Sequence, residues 1–137
     1  MSVPLLDLKR QYEPLRDDME KVLAEVAAGQ YFILGPQVEN FERAAATWLG
    51  VDHAVGVASG TDALLVALMA LDVGPGDEII LPTFSFFATA GVVARLGATP
   101  VFADIDSVDF NMDPAGLRDR ISDRTKAVIP VHLFGQS

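Results

Sequence analysis

The feature that most constrains the fold is an alternation of short apolar segments with helix-patterned segments over residues 53–131. The predicted strands are 53–58, 78–81, 99–103 and 126–131, and the predicted helices between them are 61–71, 86–96 and 114–121. The strands are continuously apolar rather than alternating, which is typical of a parallel sheet covered on both faces. Strands that recur with helices between them pair through right-handed βαβ crossovers. We therefore predict an α/β fold with a mainly parallel sheet and helices on both faces.

The first 50 residues have a helical pattern instead. Residues 1–12 are predicted to form an extended arm, and from Tyr12 onward apolar residues recur at the spacing of one helix face. Gly29 suits the C-terminal cap of that helix. A second helix is predicted to begin at Pro36, because proline is favoured at the first helical position, and to stop at Gly50.

The composition favours one folded domain and excludes several classes of protein. Of the 137 residues, 50% are hydrophobic, so the chain can bury enough surface to fold. With 19 acidic residues against 10 basic ones, it lacks the basic surface of a nucleic-acid-binding protein. It has no cysteine, and its two histidines are too few and too far apart to indicate a metal cluster. No segment resembles a signal peptide or a membrane span, so we expect a soluble cytoplasmic protein.

Ligands of an open parallel sheet bind beyond the carboxyl ends of the strands. Four segments rich in glycine, hydroxyl, aromatic and acidic residues are predicted there: 59–62, 83–87, 104–106 and 132–136. In the first segment, Gly60 lets the backbone approach a ligand, and the amides and dipole of the following helix favour a phosphate. The alternative is a plain helix cap by Ser59 or Thr61. Asp62 would repel a phosphate unless its carboxylate faces away.

The other three segments each allow two interpretations. The three phenylalanines of 83–87 are either core residues or an aromatic face for a flat cofactor ring. Asp104 and Asp106 are either an acid/base or cation-binding pair or, as we favour, solvated turn formers. His132 is either a general base or a hydrogen-bonded structural residue. The glycine spacing of a nucleotide P-loop or a dinucleotide fingerprint is absent, which counts against a plain nucleotide-binding domain.

Six motifs, each weak alone, stand in an order that is specific. They are YFILGP at 31–36, SGTDAL at 59–64, GPGDEII at 74–80, PTFSF at 82–86, GATPVFAD at 97–104 and TKAVIPVHLFG at 125–135. Through them the chain closely resembles the DegT/DnrJ/StrS family of pyridoxal-phosphate (PLP) dependent sugar aminotransferases, over nearly all of residues 3–136. The resemblance implies the type I aminotransferase fold. It makes 1–12 an N-terminal arm and 13–137 an incomplete PLP-binding large domain.

The resemblance also implies which residues bind the cofactor. Gly60 and Thr61, with Asp62 as the next backbone donor, match the turn that holds the PLP phosphate. Phe86 matches the aromatic residue that stacks on the pyridine ring. No metal is implied.

The family resemblance gives the substrates and the assembly as well. Tyr31, Phe32 and Gly35 match a substrate or interface loop near the active-site entrance. Family members are typically homodimers that transfer an amino group, usually from glutamate, to the keto group of a nucleotide-linked sugar. Such reactions supply sugars for polysaccharides and antibiotics. The helix over 63–71 is apolar on all sides, which indicates deep burial and mildly supports oligomerisation.

The lysine that the chemistry requires is not found in this chain. A Schiff-base lysine must bind the cofactor and move a proton, and an acidic residue must pair with the pyridine nitrogen. In the family both follow in later segments, beyond Ser137. Lys9 and Lys21 are predicted on an arm and a solvated helix face, and Lys126 begins a strand at the end opposite the site. We therefore expect a truncated chain that binds PLP weakly at best and is inactive alone.

Two other functions remain open from the sequence. In a PLP-dependent sugar dehydratase of the same family, histidine replaces the lysine, and that position would lie beyond Ser137. A non-catalytic interaction module, paired with a full-length subunit, would form a stable heterodimer without cofactor absorbance.

Overall fold

The computed structural model describes residues 3–137, and these form two compact units that divide between Gly56 and Val57. The first unit is helical. Its helices are α1 (Leu8–Tyr12), α2 (Arg16–Gly29) and α3 (Pro36–Leu49), with a single 3₁₀ turn at Glu13–Leu15 between the first two. The second unit contains the sheet and is described separately below.

Two local predictions in the first unit are corrected. The extended arm is wrong over Leu8–Tyr12, which is helical, and Met1 and Ser2 lie outside the described residues. Leu8 and Tyr12 are four residues apart, so they share one helix face. The cap of α2 is not Gly29 but Gln30, which has a φ of 54° and donates its amide to the Val26 carbonyl oxygen at 3.0 Å.

The predicted limits of α3 are confirmed. Pro36 is the first helical residue, where its missing N–H costs no hydrogen bond. Gly50 follows the last residue with a φ of 68°, the left-handed conformation that glycine adopts without a steric penalty.

The second unit is an α/β structure with a parallel sheet, as predicted. Its strands β1 (Glu78–Pro82), β2 (Thr99–Ala103) and β3 (Thr125–Val128) lie in the order β2-β1-β3, all parallel. Its helices are α4 (Gly60–Ala70), α5 (Phe87–Arg95) and α6 (Pro114–Arg118). The central position of β1 explains why all five of its residues are buried.

The strand predicted over 53–58 is wrong. No residue of that segment joins a β-ladder with another described residue, and the Val55 side chain is 76% exposed. Its β-branched composition suits a pleated surface, but a strand also requires a neighbour to hydrogen-bond.

β3 also ends earlier than predicted. The Ile129 amide still donates to the Ile80 carbonyl oxygen at 2.8 Å, and Pro130 then lacks an N–H to continue the ladder.

The core of the second unit lies between β1 and two helices. Ile79 and Leu81 point to the same face of β1 and pack in one cluster with Leu68 of α4 and with Val92 and Val93 of α5. Helices on the second face of the sheet stay a prediction.

Within the described chain, the helix predicted over 63–71 is buried on one side only, and burial of its other side at a subunit contact stays a prediction. Leu68 is buried, but Met69 on the other side of α4 is 58% exposed. An apolar helix face can be buried, but it becomes buried only where another element packs against it, and no described residue covers this side of α4.

An ion pair between the largely covered Glu78 and the exposed Arg124 closes the amino end of the sheet. Glu78 accepts a hydrogen bond from the Ser122 hydroxyl at 2.5 Å and from Arg124 Nε at 2.9 Å, and it also pairs with the terminal guanidinium nitrogen of Arg124. The Ser122 hydrogen bond, followed by that of Arg124, lowers the pKa of the Glu78 carboxyl below its ordinary value of 4.5. The charged form of Glu78 therefore stabilises the fold.

This lowered pKa predicts an acid-dependent loss of stability. Because the folded-state pKa is depressed, the stabilisation is present above the ordinary value of 4.5 and is lost as the pH falls through the folded-state pKa. In the protein made from the complete reading frame that contains this chain, Glu78→Gln is expected to lower the urea midpoint near neutral pH. The same variant should lose less stability than wild type on acidification. Glu20→Gln, at an exposed position of α2, is the control, and equal acid sensitivity of all three proteins would contradict the assignment.

Candidate functional site

The N-termini of α4 and α5 lie at the carboxyl end of the sheet. α5 begins five residues after β1 ends, so its first turn is at that end. α4 has eleven residues, about 16 Å, and β1 has five residues, about 17 Å. Because α4 precedes β1 through a short connection and packs with it in one core, its N-terminus reaches the same end. The sheet therefore presents two helix N-termini where ligands of parallel sheets bind.

Ser59 is the cap of α4. Its hydroxyl oxygen accepts the Asp62 amide at 3.1 Å, and its carbonyl oxygen accepts the Ala63 amide at 3.0 Å. The cap interpretation is therefore confirmed for Ser59. The Asp62 amide is already used, which leaves the amides of Gly60 and Thr61 without a hydrogen-bond acceptor among residues 3–137. These two amides are the donors that a ligand would find at the start of α4.

The space in front of Gly60 is open. A Cβ atom built on Gly60 would meet no atom within 4 Å apart from its chain neighbours and the backbone of its own helix, so an anion can approach the backbone there. The Asp62 carboxylate accepts the Ser59 hydroxyl at 3.0 Å, so it is held beside the cap instead of facing away, and its charge would oppose a phosphate there. The two amides without an acceptor and the positive end of the helix dipole still fit a phosphate group.

The core interpretation of the three phenylalanines of 83–87 is wrong for the described chain. Phe84 is about half exposed, Phe86 is 74% exposed and Phe87 is 81% exposed. Phe86 immediately precedes α5, where its carbonyl oxygen accepts the Thr89 amide at 3.2 Å. The Thr89 side chain is buried and its hydroxyl lies 3.1 Å from that of Ser85. The Phe86 ring is therefore exposed on a backbone that hydrogen bonds hold in place. Such a ring is available for a flat cofactor to stack on.

The turn-forming interpretation of the two aspartates is confirmed. Asp106 Oδ1 accepts the Val108 amide at 2.7 Å. Asp104 Oδ1 accepts the Ile105 amide at 2.8 Å and the Thr83 hydroxyl at 3.4 Å. Both carboxylates are therefore occupied in holding the chain that follows β2.

His132 is exposed, and its imidazole has no hydrogen-bond partner in the described part of the chain. Only its carbonyl oxygen is engaged, by the Gly135 amide at 3.0 Å. The structure thus gives no support to a hydrogen-bonded structural role for the ring.

An aromatic cluster that sequence reasoning missed joins the three segments at this end of the sheet. The Phe110 ring lies between Phe84 and Phe134, with centroid distances of 6.1 Å and 5.6 Å. Phe84 follows β1, Phe110 follows β2 and Phe134 follows β3. Nothing in the spacing of these residues indicates that their rings meet.

In the first unit, the loop 31–35 is held by a close backbone approach. A Cβ on Gly35 would lie 2.7 Å from the Tyr31 carbonyl oxygen and 3.0 Å from the Tyr31 ring, so only glycine fits. Tyr31 and Phe32 are exposed and help line a cavity of about 360 Å³ with Val26 and Gln37. The cavity is predominantly apolar in character, which suits a planar or hydrophobic ligand group.

Lys21 and Lys126 lie where they were predicted, whereas Lys9 lies in α1 rather than on an extended arm. Lys126 Nζ donates to the Asp72 carbonyl oxygen and lies 3.3 Å from Asp77 Oδ2, at the amino end of the sheet. Lys9 and Lys21 are exposed on α1 and α2. Within residues 3–137 there is no group of three or more side chains placed to hold a metal ion, and no helix combines the length and apolarity that crossing a membrane requires.

A sequence profile decides the family. The profile of the DegT/DnrJ/EryC1/StrS aminotransferase family matches residues 14–137. The chain belongs to this family. Aminotransferases of the DegT/DnrJ/EryC1/StrS family depend on PLP, and solved members contain the cofactor as PLP or as pyridoxamine phosphate (PMP).

Individual relatives match almost all of this chain but only part of their own length. A UDP-N-acetyl-3-dehydro-alpha-D-glucosamine 3-aminotransferase of Acidithiobacillus ferrooxidans is 49% identical over 98% of this chain and 36% of the relative. The crystal structure of DesV from S. venezuelae, with a ketimine intermediate, has a TM-score of 0.93 and 43% identity over 98% of this chain and 36% of DesV. NtdA of Bacillus subtilis with bound PMP has a TM-score of 0.93 and 36% identity over 99% of this chain and 32% of NtdA. The chain thus spans about a third of the length of these relatives.

Proposed function

We propose that this chain is the N-terminal, cofactor-binding portion of a nucleotide-sugar aminotransferase that uses PLP. The reaction would move an amino group from glutamate to the keto group of a nucleotide-linked sugar. The observation that carries the proposal is the open N-terminus of α4, where two amides have no acceptor among residues 3–137 and the space beside Gly60 is free. In a chain of the DegT/DnrJ/EryC1/StrS family, a phosphate is the anion expected at that place.

The chain's own residues would bind and orient the cofactor. Gly60 and Thr61 would donate their amides to the phosphate, and the α4 dipole would favour its negative charge. Asp62 contributes differently from the expectation, because its amide serves the Ser59 cap and its carboxylate accepts the Ser59 hydroxyl. We infer that Asp62 keeps the turn rigid rather than donating to the phosphate.

Phe86 would hold the face of the cofactor ring. Its ring is exposed while its backbone is fixed by the first turn of α5, so stacking would order a side chain whose backbone is already held. When bound, PLP supplies an electron sink for the amino-group transfer. The chain therefore contributes the position of the phosphate and the orientation of the ring plane. We take the cofactor-binding domain to be 13–137 and the preceding arm to be 1–12.

The nucleotide-sugar part of the proposal rests on the relatives. The Acidithiobacillus relative is named for a UDP-linked keto sugar, and another, from Streptomyces venezuelae, for a dTDP-linked amino sugar. Their common feature is a sugar carried on a nucleoside diphosphate. We propose the same class of substrate here, with a homodimer as the acting form and the loop of Tyr31, Phe32 and Gly35 as a substrate or interface loop.

The test is a transamination assay on the product of the complete reading frame. The purified protein would be mixed with PLP, glutamate and a panel of UDP- and dTDP-linked keto sugars, and amino-sugar formation would be followed by mass spectrometry. The proposal predicts PLP-dependent formation of at least one amino sugar. Release of water from the sugar without gain of nitrogen would instead identify a dehydratase.

Loss of the Phe86 ring is expected to weaken cofactor binding without affecting the fold. Phe86→Leu should raise the Kd for PLP roughly two- to tenfold, the size of one aromatic stacking contact. The cofactor-free protein should keep its Tm, because the ring is mostly exposed. Phe87→Leu is the matched control, since its ring is the neighbour and is even more exposed. A Kd that rises equally in both variants would speak against stacking on Phe86.

A further inference from the structure

Phe110 is the central ring of the aromatic cluster at the carboxyl end of the sheet. It lies 6.1 Å from Phe84 at an interplanar angle of 44°, and 5.6 Å from Phe134 at 72°. Both centroid distances fall within the range of attractive aromatic pairs, and the second pair has the edge-to-face geometry that such rings prefer. One side chain thus contacts the segments that follow β1 and β3.

The backbone of Phe110 adopts a conformation that a large side chain disfavours. Its φ is 62°, a left-handed conformation in which a bulky residue is an outlier. Glycine or asparagine would fit that backbone more easily. The Phe110 amide donates to the Asp106 carbonyl oxygen at 3.0 Å, and the Asp106 amide donates to the Asn111 carbonyl oxygen at 2.9 Å, so this conformation is held from both sides. An unfavourable backbone kept by a large residue indicates a role for its side chain.

The segment that Phe110 contacts through Phe84 is the one that presents Phe86. Its start is held by the Thr83 amide, which donates to the Ala103 carbonyl oxygen at 2.9 Å, and its end by the first turn of α5. Between these two anchors, the contact with Phe110 is the one aromatic contact that Phe84 makes within residues 3–137. The position of Phe84 therefore limits where the segment can move.

The segment contacted through Phe134 is a tight turn. The Gly135 amide donates to the His132 carbonyl oxygen at 3.0 Å, and Gly135 has a φ of 81°. The Phe134 ring is mostly exposed, and its edge-to-face contact with Phe110 links this turn to the segment that follows β2.

We propose that Phe110 is a positioning residue, whose ring fixes the segments 83–86 and 132–135 relative to each other and so sets the plane in which Phe86 meets the cofactor. The last part rests on the proposed function, because it takes Phe86 as the stacking residue. Phe110 itself makes no contact with the cofactor in this proposal. Its effect is transmitted through Phe84.

The experiment compares Phe110→Ala, Phe110→Tyr and the control Phe102→Ala in the product of the complete reading frame. Phe102 is a fitting control because its exposure of 46% is close to the 40% of Phe110 and it belongs to neither aromatic pair. Two quantities are measured: amide hydrogen exchange of segments 83–86 and 132–135 in the cofactor-free protein, and the Kd for PLP by absorption titration. Phe110→Ala should speed exchange in both segments and raise the Kd about tenfold, whereas Phe110→Tyr should match wild type.

Each outcome decides one part. Unchanged exchange in Phe110→Ala, or equal acceleration in Phe102→Ala, would overturn the positioning role. Faster exchange with an unchanged Kd for PLP would overturn the link to the cofactor. If wild type takes up no PLP at all, the proposed function fails, and the exchange rates still decide whether Phe110 fixes the two segments.

Discussion

Replacing Gly60 with aspartate is expected to abolish PLP binding while leaving the protein folded. The added side chain would enter the open space in front of the α4 amides, where the phosphate is proposed to sit. Two unit charges about 4 Å apart near a protein surface repel by roughly 4 kcal/mol, so the Kd for PLP should rise by at least about a hundredfold. An acidic residue in the first turn of a helix is favourable, so the Tm of the cofactor-free protein should not fall.

Two control variants separate the effect of the added charge on PLP binding from the effects of side-chain size and of position in the chain. Gly60→Asn has nearly the same shape without the charge and should weaken binding far less than Gly60→Asp. Gly74→Asn lies in the connection to β1, where an added Cβ also meets no atom within 4 Å, and should bind PLP like wild type. The Kd for PLP would be measured by absorption titration. Tight binding of PLP by Gly60→Asp would show that the phosphate does not bind at the N-terminus of α4.

The 137-residue chain produced alone is expected to show no transamination, even with excess PLP. The lysine that moves the proton is required for the chemistry, and general acid–base catalysis alone contributes about 10²–10⁴-fold to a rate. The candidates within the chain are placed elsewhere: Lys126 is paired with Asp77 at the amino end of the sheet, and Lys9 and Lys21 are exposed on the first-unit helices.

The measurement is amino-sugar formation by the 137-residue chain and by the product of the complete reading frame under identical conditions. Lys126→Met in the latter is a further control, and it should retain turnover because its ammonium serves only the structure. Turnover by the 137-residue chain, or its loss in a folded Lys126→Met variant, would show that one of these lysines is catalytic after all.

Elements fixed by local chemistry were predictable from the sequence. Pro36 and Gly50 mark the limits of α3 because each residue's own backbone preference suits the end of a helix where it occurs. β1 and β2 were found because a short apolar run between turn residues is itself a local pattern.

Elements that depend on distant partners were not predictable in the same way. Residues 53–58 have the composition of a strand but no partner among the described residues, and α4 is apolar on faces that nothing within them covers. The exposure of Phe86 was not predictable either, because phenylalanine is usually a core residue, whereas this ring is 74% exposed.

The candidate site follows the same division. The Ser59 cap and the Gly60 turn could be anticipated, since they are properties of five consecutive residues. That Ser59 accepts the Asp62 amide rather than the Thr61 amide could not, because it depends on the rotamer of the serine. The Phe110 cluster was invisible in the sequence, because three segments must first be aligned by the sheet before their rings can meet.

The central claim is that this chain supplies the cofactor-binding part of a PLP-dependent sugar aminotransferase, and the most direct test is the nucleotide sequence of its gene past the Ser137 codon. We predict that the frame continues, with an aspartate at the end of a later strand and the Schiff-base lysine further on. A histidine at that lysine position would indicate a PLP-dependent sugar dehydratase instead of an aminotransferase. A stop codon directly after Ser137 would contradict a catalytic role for the product altogether.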